Sequence, residues 1–107
     1  MTGKYRRGQT APSGSRMTLR PEPYAHLPVD ATFDALEAFE AHADERGVSM
    51  AGLALAWLLH HPRVTAVIIG PRRPEQLEPA REALELSLTP EEHAQINALF
   101  DRVPRVA

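Results

Sequence analysis

The run Val64-Thr65-Ala66-Val67-Ile68-Ile69 constrains this chain more than any other stretch. It is short, uncharged and rich in β-branched residues, so it reads as a buried strand. A strand needs neighbours, because its backbone N–H and C=O groups otherwise lack hydrogen bonds in a dry interior. The rest of the 107-residue sequence reads as helices and loops, with no second confident strand. A lone strand does not close a domain. The sequence therefore reads as part of a larger α/β body.

The helices are marked by their ends. Asp30 is placed to cap a helix running to about Arg46, with Leu36, Phe39 and Ala43 on one face and Gly47 as its stop. Ser49 is placed to cap a second, "MAGLALAWLLHH", which Pro62 ends. That helix is apolar almost all round and expects neighbours on more than one side. Pro74 suits the first position of a third helix. Pro79 removes a donor inside it and is expected to kink or shorten it. Thr89-Pro90-Glu91-Glu92 forms a capping box with proline at the first helical position, and the helix it starts carries Ala94, Ile96, Leu99 and Phe100.

Residues 1–29 read as a loop, and residues 30–107 as the regular part. The first 20 residues carry Lys4, Arg6, Arg7, Arg16 and Arg20 and no acid, whereas the acids are concentrated in the helical part. The segment is rich in Gly, Pro and Ser and has no apolar period. Composition alone fits a disordered tail. A long loop of this kind inside a compact domain is often functional.

Charge and composition exclude several classes. A formal net charge of −2 does not suggest a nucleic-acid or membrane partner. With no cysteine there is no disulfide frame, thiolate nucleophile or sulfur-bound metal. No apolar run reaches the roughly 20 residues of a membrane span. The basic N-terminus has no apolar segment after it, so it does not read as a secretory signal, and a soluble cytoplasmic protein is the expectation. His60 and His61 are adjacent and point in different directions on a helix, so they suggest a helix end and not a metal site. Trp57 reads as a core residue.

The stretch "VTAVIIGPRRPEQLEPA", residues 64–80, carries the chemical signal. An apolar strand would deliver its end to a Gly-Pro turn, two arginines and the first turn of a helix. A phosphate fits such a place.

Three segments in this order, "ALAWLL", "VIIGPRRPEQLE" and "LSLTPEE", resemble the C-terminal third of the aldo-keto reductases. The opening "TGKYRRGQTAPSGSRM" is similar to the family segment that follows the seventh barrel strand, and the branch with bacterial reductases and potassium-channel β subunits is the most similar. The resemblance implies an α/β fold: a C-terminal fragment of a (β/α)8 barrel, mostly helical, with residues 64–69 as its one barrel strand. It also implies an NADP-dependent oxidoreductase acting on carbonyls. Gly70 and Pro71 match the turn after the eighth strand, Arg72 the position that meets the adenosine 2′-phosphate, and Gln76 a polar contact on the adenosine side. Lys4 and Arg16 match residues that contact the cofactor's phosphates. The chemistry is suitable, since a guanidinium offers forked donors to a phosphate.

The sequence departs from the family pattern in places. Arg73 stands where the family often has a capping Thr, and Pro79-Ala80 where it commonly has Glu-Asn at the adenine end. The family's catalytic Asp, Tyr, Lys and His lie in the earlier part of the barrel, and Lys4, Tyr5 and Tyr24 do not match them. The resemblance thus implies a truncated or split reductase with no catalytic residue of its own. Its partner would be the missing N-terminal barrel portion. The other reading is a non-catalytic remnant that self-associates through the helix over residues 50–61 and the strand edges.

Overall fold

The computed structural model describes residues 3–10, 12–13, 15–19, 29–71 and 73–103, without the side chains of Arg16 and Met17. The described residues form five α-helices: α1 (Arg16–Leu19), α2 (Asp30–Arg46), α3 (Met50–Leu59), α4 (Glu78–Glu85) and α5 (Pro90–Leu99). A 3-10 turn over Pro74–Leu77 leads into α4.

Most of the predicted helix signals operate as read. Gly47 ends α2 in the left-handed conformation, φ 68°, which glycine adopts without strain. The Ser49 hydroxyl accepts from Gly52 N–H at the start of α3, and Thr89 from Glu92 N–H at the start of α5. Pro79 acts as expected. The backbone first makes a 3-10 turn, and α4 then begins with this proline in its first turn, where no donor is needed. Asp30 is a correction. The cap position is Val29, which makes no side-chain bond, and Asp30 lies inside the first turn, where a negative charge suits the helix dipole.

The main correction concerns residues 64–69. The segment is irregular, with a bend at Thr65, and among the described residues it forms no strand. The Val64 N–H bonds His61 O at 3.0 Å, but no described residue takes the N–H groups of Thr65 to Ile69. Ile68 is 99% exposed. The physical reason is the one the sequence raised: a strand exists by pairing, and no second strand is present among the described residues.

The core is helical. Phe39 and Ala43 of α2 meet Leu53 and Ala56 of α3, Ala83 of α4, Leu88, and Ile96 of α5. Phe100 packs its ring edge-to-face on Phe39 at 5.8 Å. Helix α3 is half-buried nearly all round, in keeping with its unbroken apolar surface. It lies close against α4 because Gly52 has no side chain: a Cβ there would sit 3.1 Å from the Glu82 Cβ. Helices α2 and α5 are joined through Glu92, whose carboxylate receives His42 Nε2 at 2.9 Å and Arg46 Nε at 3.0 Å. Glu92 is the acid of the expected capping box, and its side chain serves this inter-helix bridge.

Candidate functional site

The N-terminal loop is held on α2 by charge. Asp30, Asp34, Glu37 and Glu40 recur at helical spacing and form an acidic stripe along α2. Arg7 lies across it, with Nη1 on Asp30 at 3.0 Å, Nε on Glu37 at 3.0 Å, and Nη2 on Asp34. Its guanidinium also stands over the Phe33 ring at 5.7 Å. The hydrogen bond to Glu37, ahead of the opposing desolvation and the bond to Asp34, raises the Arg7 pKa above its ordinary value. Arg6 pairs with Glu40 and donates from Nε to Gly3 O at 3.1 Å. Gly3 adopts φ 90°, a value open to glycine without strain.

Between the loop and α2 lies a cleft of about 240 Å³. Lys4 and Tyr5 line one side, Phe33 and Leu36 another, and Met50 the α3 end. Lys4 is exposed and Tyr5 half-buried. Arg6 and Arg7, which also line the cleft, are occupied by α2 carboxylates, which leaves Lys4 as the cation of the cleft not placed in an ion pair among the described residues.

The other predicted residues lie elsewhere in the chain and outside this cleft. Gly70 and Pro71 are exposed on the irregular segment after Ile69, and a Cβ on Gly70 would meet open space. Gln76 sits in the 3-10 turn with its N–H bonded to Arg73 O at 3.1 Å. Arg72 and the side chain of Arg16 lie outside the described residues, as does Tyr24. The cleft takes in Lys4 but none of Gly70, Pro71 and Gln76.

A third neighbourhood was not read from the sequence. The Trp57 indole stacks on the His93 ring at 5.5 Å with 7° between planes, and His61 packs against both. The Trp57 Nε1–H donates to Asn97 Oδ1 at 2.8 Å. His93 Nε2 lies 3.0 Å from Trp57 O, and Asn97 Nδ2 lies 3.4 Å from His93 Nδ1. With the proton on His93 Nε2, every donor in this ring of contacts faces an acceptor. Trp57 is thus half-buried and stacked, where the sequence alone suggested only a core residue. The i, i+4 spacing of Trp57 with His61 and of His93 with Asn97 was the available signal. Among the described residues no group of three or more metal-ligating side chains gathers, and no helix is long and apolar enough to cross a membrane.

The chain belongs to the aldo/keto reductase family, whose pattern it matches over residues 1–101. It is 40% identical over 102 residues to L-glyceraldehyde 3-phosphate reductase of Escherichia coli (strain K12), an alignment covering 91% of this chain and 29% of that protein. It is 36% identical over 111 residues to a probable voltage-gated potassium channel subunit beta of Oryza sativa subsp. japonica, covering 98% of this chain and 33% of that protein. It is also 45% identical over 65 residues to the uncharacterized oxidoreductase YrpG of Bacillus subtilis (strain 168), covering 61% and 20%. The chain therefore spans about a third or less of the length of these relatives. The family fold is a (β/α)8 barrel and its members generally use NAD(P)H; the described residues of this chain are helical, with no strand among them.

Proposed function

We propose that this chain supplies the adenosine 2′-phosphate side of the cofactor site in an NADP-dependent aldo-keto reductase acting on carbonyl or alcohol substrates. The observation that supports this reading is the family match over residues 1–101, which includes the whole of "GPRRPEQ". Arg72 is the chief phosphate ligand, with Gly70, Pro71 and Gln76 around it, and Lys4 and Arg16 contribute from the N-terminal loop. The cofactor, when bound, supplies the hydride.

The residues present suit such a ligand. Gly70 is exposed with open space at its Cβ position, so a phosphate can come close to the backbone. Glu75 places a negative charge in the 3-10 turn and opposes an anion there. The phosphate therefore depends on the forked guanidinium of Arg72 more than on the helix end.

The test is a complete barrel, in which this chain is joined to the N-terminal part of the family fold. A charge-assisted hydrogen bond contributes roughly 1.5–3 kcal/mol, about one to two decades of affinity. Arg72→Ala should weaken NADPH by that factor and leave NADH nearly unchanged, because only NADPH carries the extra phosphate. Arg73→Ala should have a smaller effect. Equal losses for both cofactors would remove Arg72 from the 2′-phosphate, and a larger effect at Arg73 would shift the site by one residue. For the chain alone, binding should be weak or absent, since the nicotinamide half has no seat.

A further inference from the structure

We propose that Arg7 is a positioning residue for Lys4: by gripping the acidic face of α2, it holds the loop in the place where the Lys4 ammonium meets a cofactor phosphate. This rests on the cofactor role of Lys4 proposed above, and it adds a residue outside the positions matched to the family.

Lys4 has no regular structure around it to hold it. Residues 3–10 form neither helix nor strand, and Gly3 and Gly8 both take positive φ, 90° and 71°. A segment with such glycines loses much conformational freedom if it is ordered only when a ligand arrives. Two anchors order it beforehand. One is local: Arg6 Nε donates to Gly3 O at 3.1 Å and closes a short ring of backbone that contains Lys4. The other is Arg7, three residues after Lys4. All three guanidinium nitrogens donate to α2, Nε to Glu37 and Nη1 to Asp30 at 3.0 Å each, and Nη2 to Asp34. Asp30, Asp34 and Glu37 stand at i, i+4 and i+7 on one face of α2, so the arginine grips a regular helix and not another loop.

The number of contacts decides whether this grip matters. A single exposed ion pair contributes little. Arg7 makes three from one planar fork, and it also lies over the Phe33 ring at 5.7 Å. The grip also settles charge beside Lys4. Glu37 and Glu40 line the same cleft, and Arg7 and Arg6 occupy them. Lys4 therefore sits on a held backbone with no ion pair among the described residues, which is the preorganised state for an incoming phosphate.

The first arm of the test uses the 107-residue chain without cofactor. Lys4 is the only lysine in the sequence, so isotope-labelled lysine gives one backbone amide signal. That signal should show the heteronuclear NOE of ordered backbone. Arg7→Gln should bring it to the value of a disordered chain, with helical circular dichroism unchanged. An ordered Lys4 signal in Arg7→Gln would overturn the positioning role. The second arm measures NADPH and NADH dissociation constants in the complete barrel. If loss of the grip leaves the loop in place about a tenth of the time, Arg7→Gln raises the constant about tenfold. In a Lys4→Ala background the same change should matter less than twofold, because Arg7 acts through Lys4. Full additivity of the two variants would overturn the inference. So would recovery of Arg7→Gln by Asp34→Asn with Glu37→Gln, since the arginine would then only cancel charge. Lys4→Ala without effect on either cofactor would overturn the cofactor role of Lys4, and this inference with it. A loss in Lys4→Ala with none in Arg7→Gln would overturn this inference alone.

Discussion

The carboxylate of Glu82 takes both hydrogen bonds that Ser49 can donate, its backbone N–H at 2.9 Å and its hydroxyl at 2.7 Å. The same hydroxyl accepts from Gly52 N–H at 3.0 Å, so one serine caps α3 and ties it to α4. The two helices can meet here because Gly52 leaves the room.

This arrangement predicts unequal losses. Ser49→Ala should cost about 1 kcal/mol from the cap, with a further loss from the Glu82 bond. Glu82→Ala should cost roughly 1.5–3 kcal/mol, as expected for hydrogen bonds to a charged acceptor. Because they share the same bonds, the double variant should lose clearly less than the sum of the two. Urea unfolding followed by circular dichroism measures all three. Strict additivity would mean that the bridge contributes nothing in solution.

Arg7 predicts a salt-sensitive but not pH-sensitive attachment of the N-terminal loop. Its partners Asp30, Asp34 and Glu37 are solvent-exposed, so rising salt should screen them and loosen the loop. Its pKa is raised by Glu37 first. A group whose folded pKa lies above its unfolded value contributes below the unfolded value and loses that contribution only as pH climbs through the folded one. For an arginine that window is strongly alkaline, so no change is expected between neutral and mildly basic pH. Limited trypsin cleavage near Arg6 and Arg7 reads this directly: faster at high salt, faster in Asp34→Asn, and flat across neutral pH. A cleavage rate indifferent to salt would show that the loop is held by the Phe33 and Met50 contacts of the cleft instead.

The sequence made the helices legible because their ends are chemical. Gly47, Ser49, Thr89 and Pro79 each do what their side chain or ring dictates locally. Asp30 missed its role by one residue, since an acid suits both the cap and the first turn. The strand at residues 64–69 was a sound reading of local preference that the chain alone does not satisfy, because pairing is not a local property. The acidic stripe on α2 and the basic loop were both visible as compositions. Their union through Arg7 was not, for it joins residues 23 to 30 positions apart. For the site, Lys4, Gly70, Pro71 and Gln76 were chosen by family resemblance, and physics alone flagged only the Gly-Pro-Arg-Arg turn.

The final prediction concerns catalysis by the chain alone. A reductase of this family protonates the carbonyl oxygen from a tyrosine, and a general acid must reach that atom within hydrogen-bond distance. Lys4 and Tyr5 line the same cleft. Neither matches the family's catalytic residues in the resemblance, and the cleft includes none of Gly70, Pro71 and Gln76. In the proposed site that turn holds the phosphate end of the cofactor, away from the nicotinamide that carries the hydride. The chain with NADPH and simple aldehydes or ketones should therefore show no turnover above buffer, followed as NADPH absorbance. Residual turnover that survives both Tyr5→Phe and Tyr24→Phe belongs to a contaminating enzyme. Turnover abolished by Tyr5→Phe alone, with α-helical content unchanged, would make Tyr5 a proton donor and this chain an enzyme in its own right.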